Sequence, residues 1–167
     1  MKNNGRKPAA PATRLPKCPT GIQGLDEITG GGLPRGRPTL VCGGAGCGKT
    51  LLAVEFLVRG AAQFGEPGVF MAFEETEAEL KANVASLGFD LGGLVRRKKI
   101  VLDYVHIERS EVQESGDYDL EGLFVRSFTG ERVRRWILSP PKSWFRPVFH
   151  LWDGRNRLGS FFLIEAL

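Results

Sequence analysis

Eight consecutive residues, Gly43-Gly44-Ala45-Gly46-Cys47-Gly48-Lys49-Thr50, have the types and spacing needed to hold a chain of phosphates. Glycines let successive backbone N–H groups turn inward and form an anion nest. A helix beginning at Lys49 adds its dipole and its unpaired N-terminal amides. In that arrangement Lys49 reaches the β- and γ-phosphates, and Thr50 sets its hydroxyl on magnesium. The second chemical feature is the adjacent carboxylate pair Glu74-Glu75. One carboxylate of such a pair can orient or deprotonate a water that attacks a γ-phosphate. The same two residues also suit the acidic first turn of a helix starting near Thr76. Cys18, Cys42 and Cys47 make an odd set without zinc spacing, which favours a reducing compartment over a disulfide framework.

The elements that must position these groups follow from the flanking patterns. Pro38–Cys42 reads as a short buried strand running into the glycines. Lys49–Phe64 reads as a helix whose apolar positions (Leu52, Val54, Phe56, Leu57, Ala61, Phe64) are too many for a thin stripe, so it is expected to be largely buried. Val69–Phe73 is a second buried strand, expected to lie parallel and adjacent to the first, which brings Glu74 and Glu75 to the carboxyl ends of the sheet where ligands bind. Thr76 with Glu79 three residues on is a capping box for a helix through about Leu87, closed by Gly88. Ile100–Leu102 is a third strand. Before the phosphate loop, Thr20–Gly36 is rich in turns, with a short amphipathic stretch Ile22–Leu25–Ile28. After the third strand, residues 106–119 read as loop and Leu120, Leu123 and Phe124 as the start of another helix. Strands alternating with helices predict an α/β fold with a parallel sheet.

Composition bounds the alternatives. The chain has 167 residues, enough for one ordinary domain, with 42% apolar and 25% charged residues. No run of 18 apolar residues is present, so no membrane-spanning helix is expected, and the basic N-terminus lacks the apolar run of a secretory signal. A cytoplasmic location is expected. The net charge of +4 is unevenly placed. Residues 1–126 hold 16 Lys+Arg against 16 Asp+Glu, and residues 127–167 hold 7 against 3. All three tryptophans and five of the eleven phenylalanines also lie in the last 41 residues. Residues 1–19 are read as a disordered basic lead-in.

The segment Thr20–Gly36, the phosphate loop, Phe70–Thr76, Ser86–Leu91, Ile100–Asp103 and Asp119–Arg126 together resemble the KaiC-like branch of the RecA-type P-loop ATPases, in order and in spacing. The resemblance covers residues 20–126, the N-terminal half of such a domain. It implies a partial RecA-like fold, truncated after the third strand. It also implies ATP and Mg2+ bound at the subunit interfaces of a homo-oligomeric ring, commonly a hexamer, with ATP hydrolysis and in some members serine/threonine autophosphorylation. Glu74 and Glu75 stand where the family places paired catalytic glutamates. The family's magnesium-site strand, ending in Asp, is expected after the helix begun at Leu120, so Asp103 is read as an ordinary strand-end residue. No in-frame counterpart of that strand and Asp is expected after Arg126. Two other readings remain: a truncated nucleotide-binding fragment without catalysis, and a RecA/RadA-like ATPase acting on DNA, which the electrically neutral residues 1–126 disfavour.

Residues 127–167 show neither a 3.6- nor a 2-residue period, and their sudden Trp, Phe and Arg content is what translation in a wrong frame produces. The genetic code offers a direct check. When the last base of each codon is regrouped with the first two of the next, Trp136-Ile137 reads Leu, Met or Val followed by Asp. A CTN codon at Leu138 then gives Ser, Thr or Pro. The missing hydrophobic–Asp–Ser/Thr ending is thus available in the neighbouring frame. As written, the tail's interleaved Trp and Arg also suit contact with nucleic acid, while Pro140, Pro141 and Pro147 interrupt any long amphipathic helix that would lie on a membrane.

Overall fold

The structure, a computed structural model, describes residues 15–106, 134–139 and 160–166. The helix expected from Leu120, the polar stretch 107–119 and residues 1–14 of the lead-in lie outside the described residues. Lys17–Cys18, assigned to the lead-in from sequence, instead forms strand β1, paired antiparallel with β2, Leu33–Pro34. Between them runs the short helix α1, Leu25–Ile28. The amphipathic pattern of this stretch is only partly used: Ile22 packs on the core, but Ile28 is 83% exposed. What organises the turn is polar. The Asp26 carboxylate accepts from the Thr20 amide (2.8 Å), the Thr20 hydroxyl (2.7 Å) and the Gly21 amide (2.9 Å), and Thr20 is fully buried.

Then come β3 (Pro38–Gly43), α2 (Lys49–Gln63), β4 (Gly68–Ala72), α3 (Glu77–Ala85), α4 (Leu91–Arg96) and β5 (Ile100–Tyr104). Each strand and helix expected between residues 38 and 104 is present within a few residues of its anticipated ends. The α/β architecture is that of a partial RecA-like fold. α4 is an addition, begun by the Asp90 side chain accepting from the Gly93 amide at 2.8 Å. As its broad apolar pattern requires, α2 buries Ala53, Val54, Phe56, Leu57, Val58 and Ala61 against the sheet. Leu80 and Val84 of α3 and Leu91 and Leu94 of α4 complete the core. Among the described residues no helix is long and apolar enough to cross a membrane.

Beyond the three expected strands the sheet continues. Two more come from the last 41 residues: β6, Arg135–Ser139, and β7, Ser160–Ala166. All five run parallel in the order β3-β7-β6-β4-β5. Contrary to the expectation from sequence, β4 is therefore not adjacent to the phosphate-loop strand; β7 and β6 lie between them. β4, buried at every position, is hydrogen-bonded on one side to β5 and on the other to β6, and β7 joins β6 to β3, so two strands from far along the chain fill the space between the consecutive strands.

Arg135 locks this insertion. Its side chain has no exposed surface, and its Nε donates to Glu66 Oε2 at 2.8 Å. The two terminal nitrogens donate to the carbonyls of Phe56 (2.9 Å) and Pro19 (2.6 Å). The guanidinium also stacks 4.2 Å above the Phe56 ring. Gly60 faces it from α2, where any added Cβ would collide with the Arg135 side chain. The pair is a buried ion pair whose partner Glu66 is mostly covered.

Two stability predictions follow from these contacts. Removing the guanidinium in Arg135→Ala strips Glu66 of its 2.8 Å donor and leaves it the longer Arg35 contact at 3.7 Å, and should lower the unfolding free energy by about 3–5 kcal/mol. Urea denaturation checks it; a loss under about 1 kcal/mol is incompatible with a buried ion pair. The second concerns pH. Burial pushes the Asp26 acid up, but the hydrogen bonds from Thr20 and Gly21 outweigh it and hold the group below its ordinary 3.8. A depressed folded value means that Asp26 contributes its full stability above the unfolded value and loses it as pH falls through the folded one. The urea midpoint should therefore fall in acid more steeply for the unmodified chain than for Asp26→Asn; parallel profiles would count against the Asp26 network.

Candidate functional site

Gly43 ends β3, and the chain then turns through four exposed residues, Gly44–Cys47, before α2 begins at Lys49. Gly46 has φ 76° and Gly48, the residue before the helix, φ 88°. These left-handed conformations turn the backbone amides toward one side, which only glycine does without strain. Open space lies on the Cβ side of Gly44, Gly46 and Gly48, so the loop is a cradle rather than a packed turn. The Lys49 ammonium is held over it, donating to the carbonyls of Gly43 and Gly44 at 2.7 Å each, with the Cys47 sulfur 3.6 Å away. This strand–loop–helix unit supplies what a phosphate group needs: converging N–H donors, a helix N-terminus and a positioned cation.

Thr50, the second residue of α2, lies near enough to the Glu75 side chain for its hydroxyl to favour the ionised carboxylate. Glu74 and Glu75 follow the end of β4, where the Ala72 carbonyl accepts from the Val105 amide at 2.8 Å. Thr76 then caps α3. Its hydroxyl accepts from the Glu79 amide at 3.3 Å, while its own amide donates to Glu79 Oε2 at 2.7 Å. The acids of the first turn of α3 are thus Glu77 and Glu79, and the structural role considered for Glu74 and Glu75 belongs to them. The two site glutamates differ. Glu74 is exposed, whereas Glu75 is half-buried and accepts from Asn83 Nδ2 at 3.4 Å. Burial raises the Glu75 acid above its ordinary value, Glu79 and Glu74 push in the same direction, and the Thr50 hydroxyl opposes them.

Asp103 sits on β5, with β4, β6 and β7 between it and the phosphate-loop strand. A strand is present where none was expected in frame, but it ends in Ser139 rather than an acid. Among the described residues no group of three or more His, Cys, Asp or Glu is placed to hold a metal by itself. A cation here would rest on Thr50 and on phosphate oxygens, which suits magnesium, a metal that keeps few protein ligands beside its substrate phosphates. Two features were missed from sequence: the Thr50–Glu75 contact and the Arg135 socket. Both join residues far apart in the chain, and neither leaves a local pattern.

Comparison with known proteins agrees with this geometry. The family model described as the KaiC ATPase matches residues 18–127, more than half of the chain. The chain belongs to the KaiC family of ATPases. The circadian clock protein KaiC2 of Synechocystis sp. is 65% identical over 112 residues, covering 67% of this chain and 20% of that protein. The circadian clock oscillator protein KaiC of Parathermosynechococcus lividus is 40% identical over 137 residues, covering 78% of this chain and 25% of its own length. That of Prochlorococcus marinus is 41% identical over 113 residues, covering 68% and 23%. The chain thus spans a fifth to a quarter of the length of these KaiC relatives. What it carries is a segment of a KaiC-like P-loop ATPase domain, with its phosphate loop and glutamate pair inside the matched region.

Proposed function

We propose that this KaiC-family segment binds ATP with magnesium at Gly43–Thr50, and that Glu74 or Glu75 activates the water that attacks the γ-phosphate. The observation that carries this reading is the open glycine cradle between β3 and α2, with the Lys49 ammonium poised above it. Magnesium would be held by Thr50 and the phosphates, and when bound it neutralises charge on the transferring phosphate. The chain itself supplies the cradle amides, the Lys49 charge and the carboxylates. Assembly into a homo-oligomeric ring, as a hexamer, and a cytoplasmic setting belong to the same proposal. A second reading, a nucleotide-binding fragment without turnover, is supported by Ser139 ending β6 where the family pattern calls for Asp.

Magnesium-dependent ATP hydrolysis by the purified chain, set against Lys49→Ala, separates these readings. Removing Lys49 should weaken nucleotide binding at least tenfold, in keeping with loss of a charge-assisted contact worth about 1.5–3 kcal/mol. A hydrolysis rate equal in both proteins sinks the enzyme reading, and equal nucleotide affinity sinks the phosphate site.

We also propose that the frame change suggested by the composition of 127–167 falls after Arg135. Glu66, the carbonyls of Phe56 and Pro19, and Gly60 all lie within the family-matched segment, and together they form a socket that Arg135 fills. A side chain that donates to the carboxylate and both carbonyls of a socket built by the matched segment supports an in-frame Arg135. The regrouped codons that yield hydrophobic–Asp start at the boundary between codons 135 and 136. Re-sequencing the coding DNA across codons 127–145 should reveal an inserted or lost base beyond codon 135; an intact frame would establish the tail as genuine.

A further inference from the structure

All five strands run parallel, so their amino ends share one edge of the sheet, opposite the edge where β3 opens into the phosphate loop. That amino edge is basic. Ile100, Gly68 and Arg135 stand side by side in register, and Lys99 and Arg134 precede the two outer ones. Backbone bonds fix both cations in place: the Gly68 amide donates to the Lys99 carbonyl at 3.0 Å, and the Arg134 amide to the Pro67 carbonyl at 2.9 Å. Arg37 precedes the first residue of β3, two strands beyond β6. These three are exposed, as are Arg96 and Lys98 beside them in the chain at the end of α4. The acids nearby are already taken: Glu66 by Arg135 at 2.8 Å and Arg35 at 3.7 Å, and Asp90 by Arg97 at 3.3 Å. Among the described residues no acid pairs with Arg37, Arg96, Lys98, Lys99 or Arg134.

Cations at the end of a helix can do no more than serve its dipole. Lys98 carries the argument further. With φ 55° it is the one non-glycine in the left-handed region among the described residues. Its amide donates to the Val95 carbonyl and the Lys99 amide to the Leu94 carbonyl, both at 2.9 Å, which is the helix-closing turn whose left-handed position suits glycine. A lysine there strains the backbone where glycine would not, and strain held at an exposed position points to work done by the side chain. Spacing says what kind of partner fits. Neighbouring strands lie about 4.8 Å apart, so Lys99, Arg134 and Arg37, each two strands from the next, follow one another at roughly 10 Å. Two turns of α-helix advance about 11 Å, so residues seven apart on one helix face repeat at nearly the same interval. A nucleic-acid duplex, with one charge about every 1.7 Å of its axis, has no such interval.

We propose that this basic edge docks an acidic helix of a partner protein, laid across the strand ends with its carboxylates two turns apart. The phosphate loop, at the opposite edge, stays open while the helix is bound. The test uses the full chain and an alanine-rich, fluorescently labelled peptide of about 20 residues, roughly 30 Å long as a helix, with glutamates in a stripe at two-turn intervals. A scrambled peptide of the same composition and a short DNA duplex serve for comparison in anisotropy titrations. The striped peptide should bind more tightly than the scrambled one and lose affinity as salt rises. Lys98→Gly and Arg134→Gln should each weaken it about two- to fivefold, in keeping with loss of one exposed ion pair. Lys98→Gly should at the same time raise the urea midpoint, since it removes backbone strain along with the charge, so its weaker binding is not a folding defect. Equal affinity for the two peptides overturns the helical partner, and tighter binding of the duplex reassigns the edge to nucleic acid. Striped-peptide affinity unchanged in both Lys98→Gly and Arg134→Gln overturns the edge as the docking surface.

Discussion

A guanidinium without exposed surface has to find all its acceptors inside the protein, and Arg135 finds them on three separate pieces of chain. Glu66 belongs to the turn between α2 and β4, Phe56 to α2 itself, and Pro19 to the segment that leads into α1. Desolvating such a group costs several kcal/mol, and the cost is offset only when ion pair and hydrogen bonds are all made together. The arrangement is therefore close to all-or-none. It pins α2 at one height over the sheet and closes the N-terminal segment down on it. It also holds β6 against β4, where the amides of Arg134 and Arg135 reach the Pro67 carbonyl at 2.9 and 3.2 Å.

The position of α2 matters because the helix carries one half of the site and faces the other. Its first turn holds Lys49 and Thr50 beside β3. Farther along, it packs on β4, which delivers Glu74 and Glu75 from two strands away. Since β7 and β6 separate β3 from β4, no backbone pairing brings loop and glutamates together. The helix does this by crossing the sheet from β3 to β4. Glycine at position 60 lets α2 approach close enough for the Arg135 side chain to run between helix and strand. Core packing and site geometry are thus set by the same few contacts.

Much of the fold was legible because its signals are local. Pro38–Gly43 leads straight into the glycines, α2 announces itself by a broad apolar face, and Thr76 with Glu79 marks the start of α3 to the residue. Strand order was not legible. The rule that consecutive strands lie side by side is a tendency, and it yields here to two strands from much later in the chain that lie between β3 and β4. The strand at Arg135–Ser139 was missed for a related reason: a five-residue segment buried on both faces has no alternation to detect. The role of Arg135 left even less trace, since a buried arginine and a surface one look alike in sequence until the socket is seen.

The candidate site divides along the same line, and the division has a chemical cause. A phosphate cradle is made of backbone amides, so its instructions are conformational and must be written locally, as glycines at positions 46 and 48 that accept positive φ. That is why Gly43–Thr50 could be read residue by residue. The carboxylates act through side chains whose value depends on what stands opposite them. Sequence placed Glu74 and Glu75 together and left both their catalytic and their helix-capping roles open. Burial separates them: one acid is half-covered, drawn toward Thr50 and Asn83, and the other is in solvent. Both stand in the bend that follows β4, outside the alternation of a strand, so the difference between the two acids is set by what packs around them after folding and not by their order in the chain.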